Sequence, residues 1–345
     1  MEMVLTAESV AFIVSMFVSA LMFSFFGRVD YLQRKMVGSA IFIILGLTVG
    51  CFAVLPFFWY EYDFIVEINF WKFLIPFLGG AIIIGAAIFE RNYFVSLAVL
   101  LAVILGVFIL DIEISFFERA PRFINQGITV AVWWLFAMGY RALSGLNTLP
   151  QVEAMTVGLG FLLLSWFGVA PLMIGVFSAS LIAVFIIAYL YSAANPVGIL
   201  VSPVVGFVLG WLGLMVYGEY LLPCFVIFMM YYIVEFVVCF FKKITFLPQY
   251  RDFEYNSITF QSFYNGLPVM VVIKNVWMIN AILLVLGLFQ LSGVNSYSIP
   301  IFVALLVSWQ LYRMFSWEDG VKVVEKERRV YDKDLEKTDS NTDKN

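Results

Sequence analysis

The chain has 345 residues, of which 63% are hydrophobic and 13% charged, with a mean hydropathy of +0.97 and a formal net charge of -4. That composition excludes a soluble globular domain and describes an integral membrane protein. It contains no histidine, which excludes imidazole acid–base catalysis and a His-ligated metal, so any proton transfer falls to carboxylates, Lys, Tyr or Cys.

Met1 to Ala7 carries Glu2 but no Lys or Arg, so the apolar run Val10 to Phe26 lacks the basic region of a signal peptide and reads as a retained first helix. Further apolar spans are predicted at 37–59, 70–89, 93–111, 127–143, 154–171, 173–194, 197–217, 220–241, 269–290 and 298–316. A bilayer core of roughly 30 Å needs about 20 apolar residues at ~1.5 Å each, and most of these runs approach that length. The expected fold is therefore an all-α polytopic bundle of about 11 transmembrane helices. With alternating sides, eight basic residues (Arg28, Arg34, Lys35, Arg91, Arg141, Lys242, Lys243 and Arg251) fall on one face and three (Lys72, Arg119 and Arg122) on the other. The positive-inside rule then puts the N-terminus outside and the C-terminus in the cytoplasm.

Between the helices, 111–126 alternates polar and apolar in its first half and reads as a short hairpin or irregular outside loop. The segment 242–268 mixes Phe246, Tyr250, Phe253, Tyr255, Phe260, Phe263 and Tyr264 with Arg251, Asp252 and Glu254, a composition suited to lying flat in the headgroup layer as a cytoplasmic platform. Residues 317–345 hold seven Lys/Arg and nine Asp/Glu, and form either a solvated tail or a docking helix for a protein partner. Cys51, Cys224 and Cys239 lie in apolar spans without CxxC spacing, so neither a disulfide framework nor a zinc site is expected. No nucleic-acid partner is expected.

A set of landmarks resembles the polyprenyl-phosphate hexosamine-1-phosphate transferase superfamily, over about residues 30 to 290. These are Leu221-Leu222-Pro223, Glu235 within an apolar span, Gly266 and Pro268, Val271-Val272-Ile273 and Trp277. The segment 128–150 resembles the superfamily's fifth helix and the motif that follows it, here Arg141-Ala142-Leu143-Ser144-Gly145-Leu146-Asn147-Thr148-Leu149. The resemblance implies a bacterial cell inner membrane, a polyprenyl phosphate acceptor, a UDP-sugar donor and Mg²⁺. Yet each catalytic station that can be aligned is altered: Ser144 and Asn147 replace carboxylates, Ser202 falls near a Gly-Asp position, Thr259-Phe260-Gln261 replaces the His-rich motif, and only Glu90 stays acidic.

Joining two anions needs Mg²⁺ held by hard carboxylate oxygens, and neutral hydroxyl or amide oxygens supply no charge for it. The expectation is a degenerate member that binds lipid, nucleotide sugar or an assembly partner, with no metal or other cofactor. The alternatives are an active, Mg²⁺-dependent transferase with a rearranged site, and a transporter or lipid translocator built on Glu235. For Glu235 the reading is either an interhelical hydrogen bond or part of a pocket or proton path, with Lys274 or Arg141 as partner. Lys274 either snorkels or binds phosphate, Arg141 either pairs with Glu153 or binds a lipid phosphate, and Glu90 with Arg91 marks a helix end or a vestigial ligand contact.

Overall fold

The computed structural model describes residues 2–26, 38–54, 70–89, 92–111, 114, 121–146, 148–191, 202–218, 221–245, 257–264, 267–292 and 298–315. Among these residues all regular secondary structure is helical, with no strand. In chain order the helices are α1 (Glu2–Phe26), α2 (Gly38–Phe52), α3 (Phe70–Ala87), α4 (Asn92–Leu110), α5 (Arg122–Gly139), α6 (Leu149–Trp166), α7 (Leu172–Leu190), α8 (Ser202–Gly218), α9 (Leu222–Phe228), α10 (Met230–Thr245), α11 (Ile258–Tyr264), α12 (Val269–Phe289) and α13 (Ser298–Phe315). A 3₁₀ turn, Tyr140–Gly145, continues α5.

Proline sets many of the starts. Pro121, Pro171 and Pro268 occupy the cap positions of α5, α7 and α12, and Pro150 and Pro223 lie in the first turns of α6 and α9. A proline there gives up only an N–H that has no intrahelical acceptor, and its fixed φ favours entry into the helix. Pro76 is the exception, inside α3.

Among the described residues, five helices are long and apolar enough to cross a membrane: Thr6–Ser24 of α1, α4, α6, α7 and α12. The bent pair α9 and α10 makes a sixth if it counts as one span, while α2, α3, α8 and α13 are apolar over shorter described lengths. In α6 and α7, 83% and 78% of the apolar window is buried, against 33% in α1 and in α12. The former two are therefore the inner helices, and the latter present most of their surface to the surroundings. α7 packs on α6, α1 and α2, and α6 also packs on α12.

The bent pair is seated by one aromatic side chain. α9 and α10 meet at Met229 with an angle of 66°. Phe228, fully buried at that corner, fits between Gly160 of α6 and Gly287 of α12, where a methyl group at either position would overlap its ring. It also meets Phe161 edge-on, with ring centroids 5.4 Å apart. Small residues allow close helix approach in membranes, and here both open the same notch. Phe228→Ala should lower stability by about 3–5 kcal/mol, the usual cost of emptying a buried aromatic position. Thermal unfolding of the purified full chain in detergent checks this, with Phe302→Ala, at an exposed position on α13, as the control expected to change little.

Candidate functional site

The predicted stations divide between described and undescribed residues. Glu90, Arg91 and Asn147 lie outside the described residues, as do most of the platform loop and the tail. Ser144 and Arg141 share the 3₁₀ turn after α5, where Ser144 is buried and donates its hydroxyl to the Arg141 carbonyl at 2.7 Å, and Arg141 is half-buried. Ser202, fully buried, begins α8, whose first turns pack against the same 3₁₀ turn and the end of α5. Ser144 and Ser202 are thus brought to one end of the bundle.

Two tyrosines hold that end in place. Tyr140 donates from its phenol to the Pro150 carbonyl at 2.9 Å, tying the turn to the start of α6. Tyr232 donates to the Phe136 carbonyl at 2.6 Å, tying α10 to the last turn of α5. In each case a carbonyl near a helix end gains a donor in a place where solvent is excluded.

Glu235 is fully buried on α10, and both of its oxygens are engaged. Oε2 accepts the Ile258 backbone N–H at 2.8 Å, and Oε1 accepts that of Thr259 at 3.0 Å. Ser257 completes the cap, its hydroxyl accepting the Phe260 N–H at 3.1 Å. The first three N–H groups of α11, which have no intrahelical acceptor, are therefore all satisfied. Two turns along α10, Lys242 donates to Gln261 Oε1 at 2.6 Å. The polar side of α11 is thus fastened to α10 at its first turn and at its middle residue, Gln261. Lys274 is exposed on α12 and makes no contribution to this cluster.

A second buried acid was not singled out from the sequence as a site of its own. Glu153 is fully buried in the first turns of α6, where its Oε2 accepts the Asn280 amide of α12 at 2.9 Å and its Oε1 has no hydrogen-bond partner among the described residues. The partner the structure gives Glu153 is thus a neutral amide. The predicted span began at 154 and left Glu153 as flanking loop, whereas α6 begins at Leu149 because Pro150 is a good first-turn residue. Glu8 escaped in the same way, since α1 begins at Glu2 and not at Val10.

Among the described residues, Ser144 and Glu235 do not suit the Mg²⁺ that the resemblance implies, and Glu90 lies outside that set. Ser144 offers a neutral oxygen whose proton is committed to Arg141, and the carboxylate of Glu235 is taken up by two backbone N–H groups. A hard divalent cation needs at least one carboxylate with oxygen lone pairs turned toward it. The chain matches no protein-family model and no curated protein sequence.

Glu235→Ala strands two buried N–H groups, each at about 1–3 kcal/mol, and should loosen α11 from α10. Glu235→Gln keeps one acceptor and should lose less. Limited proteolysis within 246–268, together with thermal unfolding, measures both; equal protection in Glu235→Ala and the parent would contradict the capping role.

Proposed function

We propose that this chain is a multi-pass protein of the bacterial inner membrane, with about eleven helices, an outside N-terminus and a cytoplasmic tail. In this reading it resembles the polyprenyl-phosphate hexosamine-1-phosphate transferases in plan and acts by binding a lipid-linked intermediate of surface-glycan synthesis without standard transfer. The shorter apolar helices α2, α3, α8 and α13 adjoin residues outside the described set, and counting them as spans gives the larger number.

The observation that carries the non-catalytic reading is the commitment of Glu235. A carboxylate whose two oxygens each hold a backbone N–H is a structural cap, and releasing it for a metal or a proton would unseat α11. Beside it, the turn bearing Arg141 offers a guanidinium, which pairs well with phosphate oxygens. A polyprenyl phosphate placed there would gain charge-assisted hydrogen bonds without needing Mg²⁺. A UDP-sugar and a protein partner for the tail are the other occupants this reading admits.

A second reading, lipid translocation or transport, draws on the 66° corner between α9 and α10. Discontinuous helices in transporters expose half-helix N-termini to anionic ligands. Glu153 keeps one oxygen without a donor, whereas both oxygens of Glu235 are engaged, so Glu153 is the acid to test.

Purified full-length protein, shown to be folded, should release no UMP from a panel of UDP-sugars with undecaprenyl phosphate and Mg²⁺. It should bind undecaprenyl phosphate, and Arg141→Ala should weaken that binding by about tenfold, as loss of one charge-assisted contact does. Mg²⁺-dependent UMP release abolished by Glu90→Gln would establish the active transferase instead. Lipid flux in proteoliposomes that Glu153→Gln stops, without dependence on nucleotide sugar, would establish the second reading.

A further inference from the structure

The end of the bundle that holds the N-terminus contains a half-open pocket of about 320 Å³ between α1, α6 and α7. Glu8, Trp166, Phe12, Ile13, Leu162 and Ala179 line it. The volume lies at the lower end of ligand-pocket sizes, roughly 300–1,000 Å³, and suits a single headgroup with the start of one chain.

Its polarity is graded along the helix axes. Trp166 is the last residue of α6, and Glu8 lies near the start of α1. Phe12, Leu162 and Ala179 stand about one helical turn deeper than Glu8, Trp166 and Gly175, a step of roughly 5–6 Å. Polar groups therefore lie at the mouth and apolar ones below.

Glu8 is 2% exposed, and its Oε2 accepts the Trp166 indole N–H. Oε1 has no hydrogen-bond partner; the Ser165 hydroxyl adjoins it, also without one. Gly175 of α7 makes the room, since a Cβ there would overlap both Glu8 Oε1 and Ser165 Oγ. No Lys or Arg occurs on α1, α6 or α7, nor on α2, which packs against α1 and α7. A carboxylate buried in a membrane protein is costly without a partner of opposite charge, and the surrounding helices provide none.

We propose that this pocket holds a membrane lipid whose headgroup ends in a primary ammonium. The ammonium donates to Glu8 in charge-assisted hydrogen bonds and lies against the face of Trp166, which is 44% exposed, while one acyl chain runs over Ile13 and Leu162. A quaternary choline headgroup has no N–H to donate and is bulkier, so the site discriminates between the two zwitterionic headgroups.

Native mass spectrometry of the detergent-solubilised full chain, titrated separately with phosphatidylethanolamine and phosphatidylcholine of the same acyl length, tests this. The expected result is one phosphatidylethanolamine bound about tenfold more tightly than phosphatidylcholine, the difference of one charge-assisted contact. Glu8→Gln, which keeps an acceptor for Trp166, should remove that preference and leave phosphatidylcholine binding unchanged. Ile13→Trp, at a position 59% exposed on the rim, should fill the pocket and abolish the tight site without disturbing the core. Equal affinities for the two lipids in the parent overturn the proposal, as does a preference that survives both substitutions. Should Glu8→Gln fail to fold, the parent comparison and Ile13→Trp decide it. Tighter binding of an anionic lipid than of either would also overturn it.

Discussion

A carboxylate removed from water inside an apolar bundle must find hydrogen-bond donors, and Glu235 finds two in the backbone N–H groups at the start of α11, as Glu153 finds one in the Asn280 amide of α12. At Glu235 two needs cancel: a helix start has N–H groups that lack acceptors, and a buried acid has lone pairs that lack donors. Each pairing also ties together segments distant in the chain. The acids therefore act as connectors, Glu235 for irregular backbone that the membrane would otherwise not tolerate.

The corner between α9 and α10 shows how the two kinds of packing combine. Phe228 anchors it through apolar contact with the notch formed at Gly160 and Gly287. Tyr232, one turn on, adds a phenol bond to α5. Shape alone would leave polar groups stranded in the core, and hydrogen bonds alone would leave a void. The turn with Arg141 and Ser144 packs against α10 as well, so the end of the bundle proposed to bind lipid phosphate is held by several such bonds.

Much of the architecture could be read from the chain. The helical class followed from apolar runs and prolines, and a buried Glu235 within an apolar helix followed from its surroundings. What could not be read was the partner of Glu235: neither Lys274 nor Arg141 supplies its hydrogen bonds, which come from the backbone of Ile258 and Thr259. Residue type gives no sign of a helix start more than twenty positions downstream. Glu8 was missed, and Glu153 was read only as a partner for Arg141 outside the helix, because hydropathy draws a helix boundary at the first acidic residue it meets. Pro150 marked the true start of α6, and the Glu153 pairing to Asn280 depends on tertiary packing that periodicity does not encode. The pocket at Glu8 depends on three helices meeting, and no local pattern announces it.

The separation in sequence between Glu153 and its partner imposes an order on biogenesis. Glu153 lies 127 residues before Asn280, which follows long after α6 has been synthesised. A nascent α6 therefore reaches the bilayer with an acid that none of its finished neighbours satisfies. The acid of α6 gains its Asn280 partner only after α12 has been synthesised, and the packing of α6 on α12 is completed late.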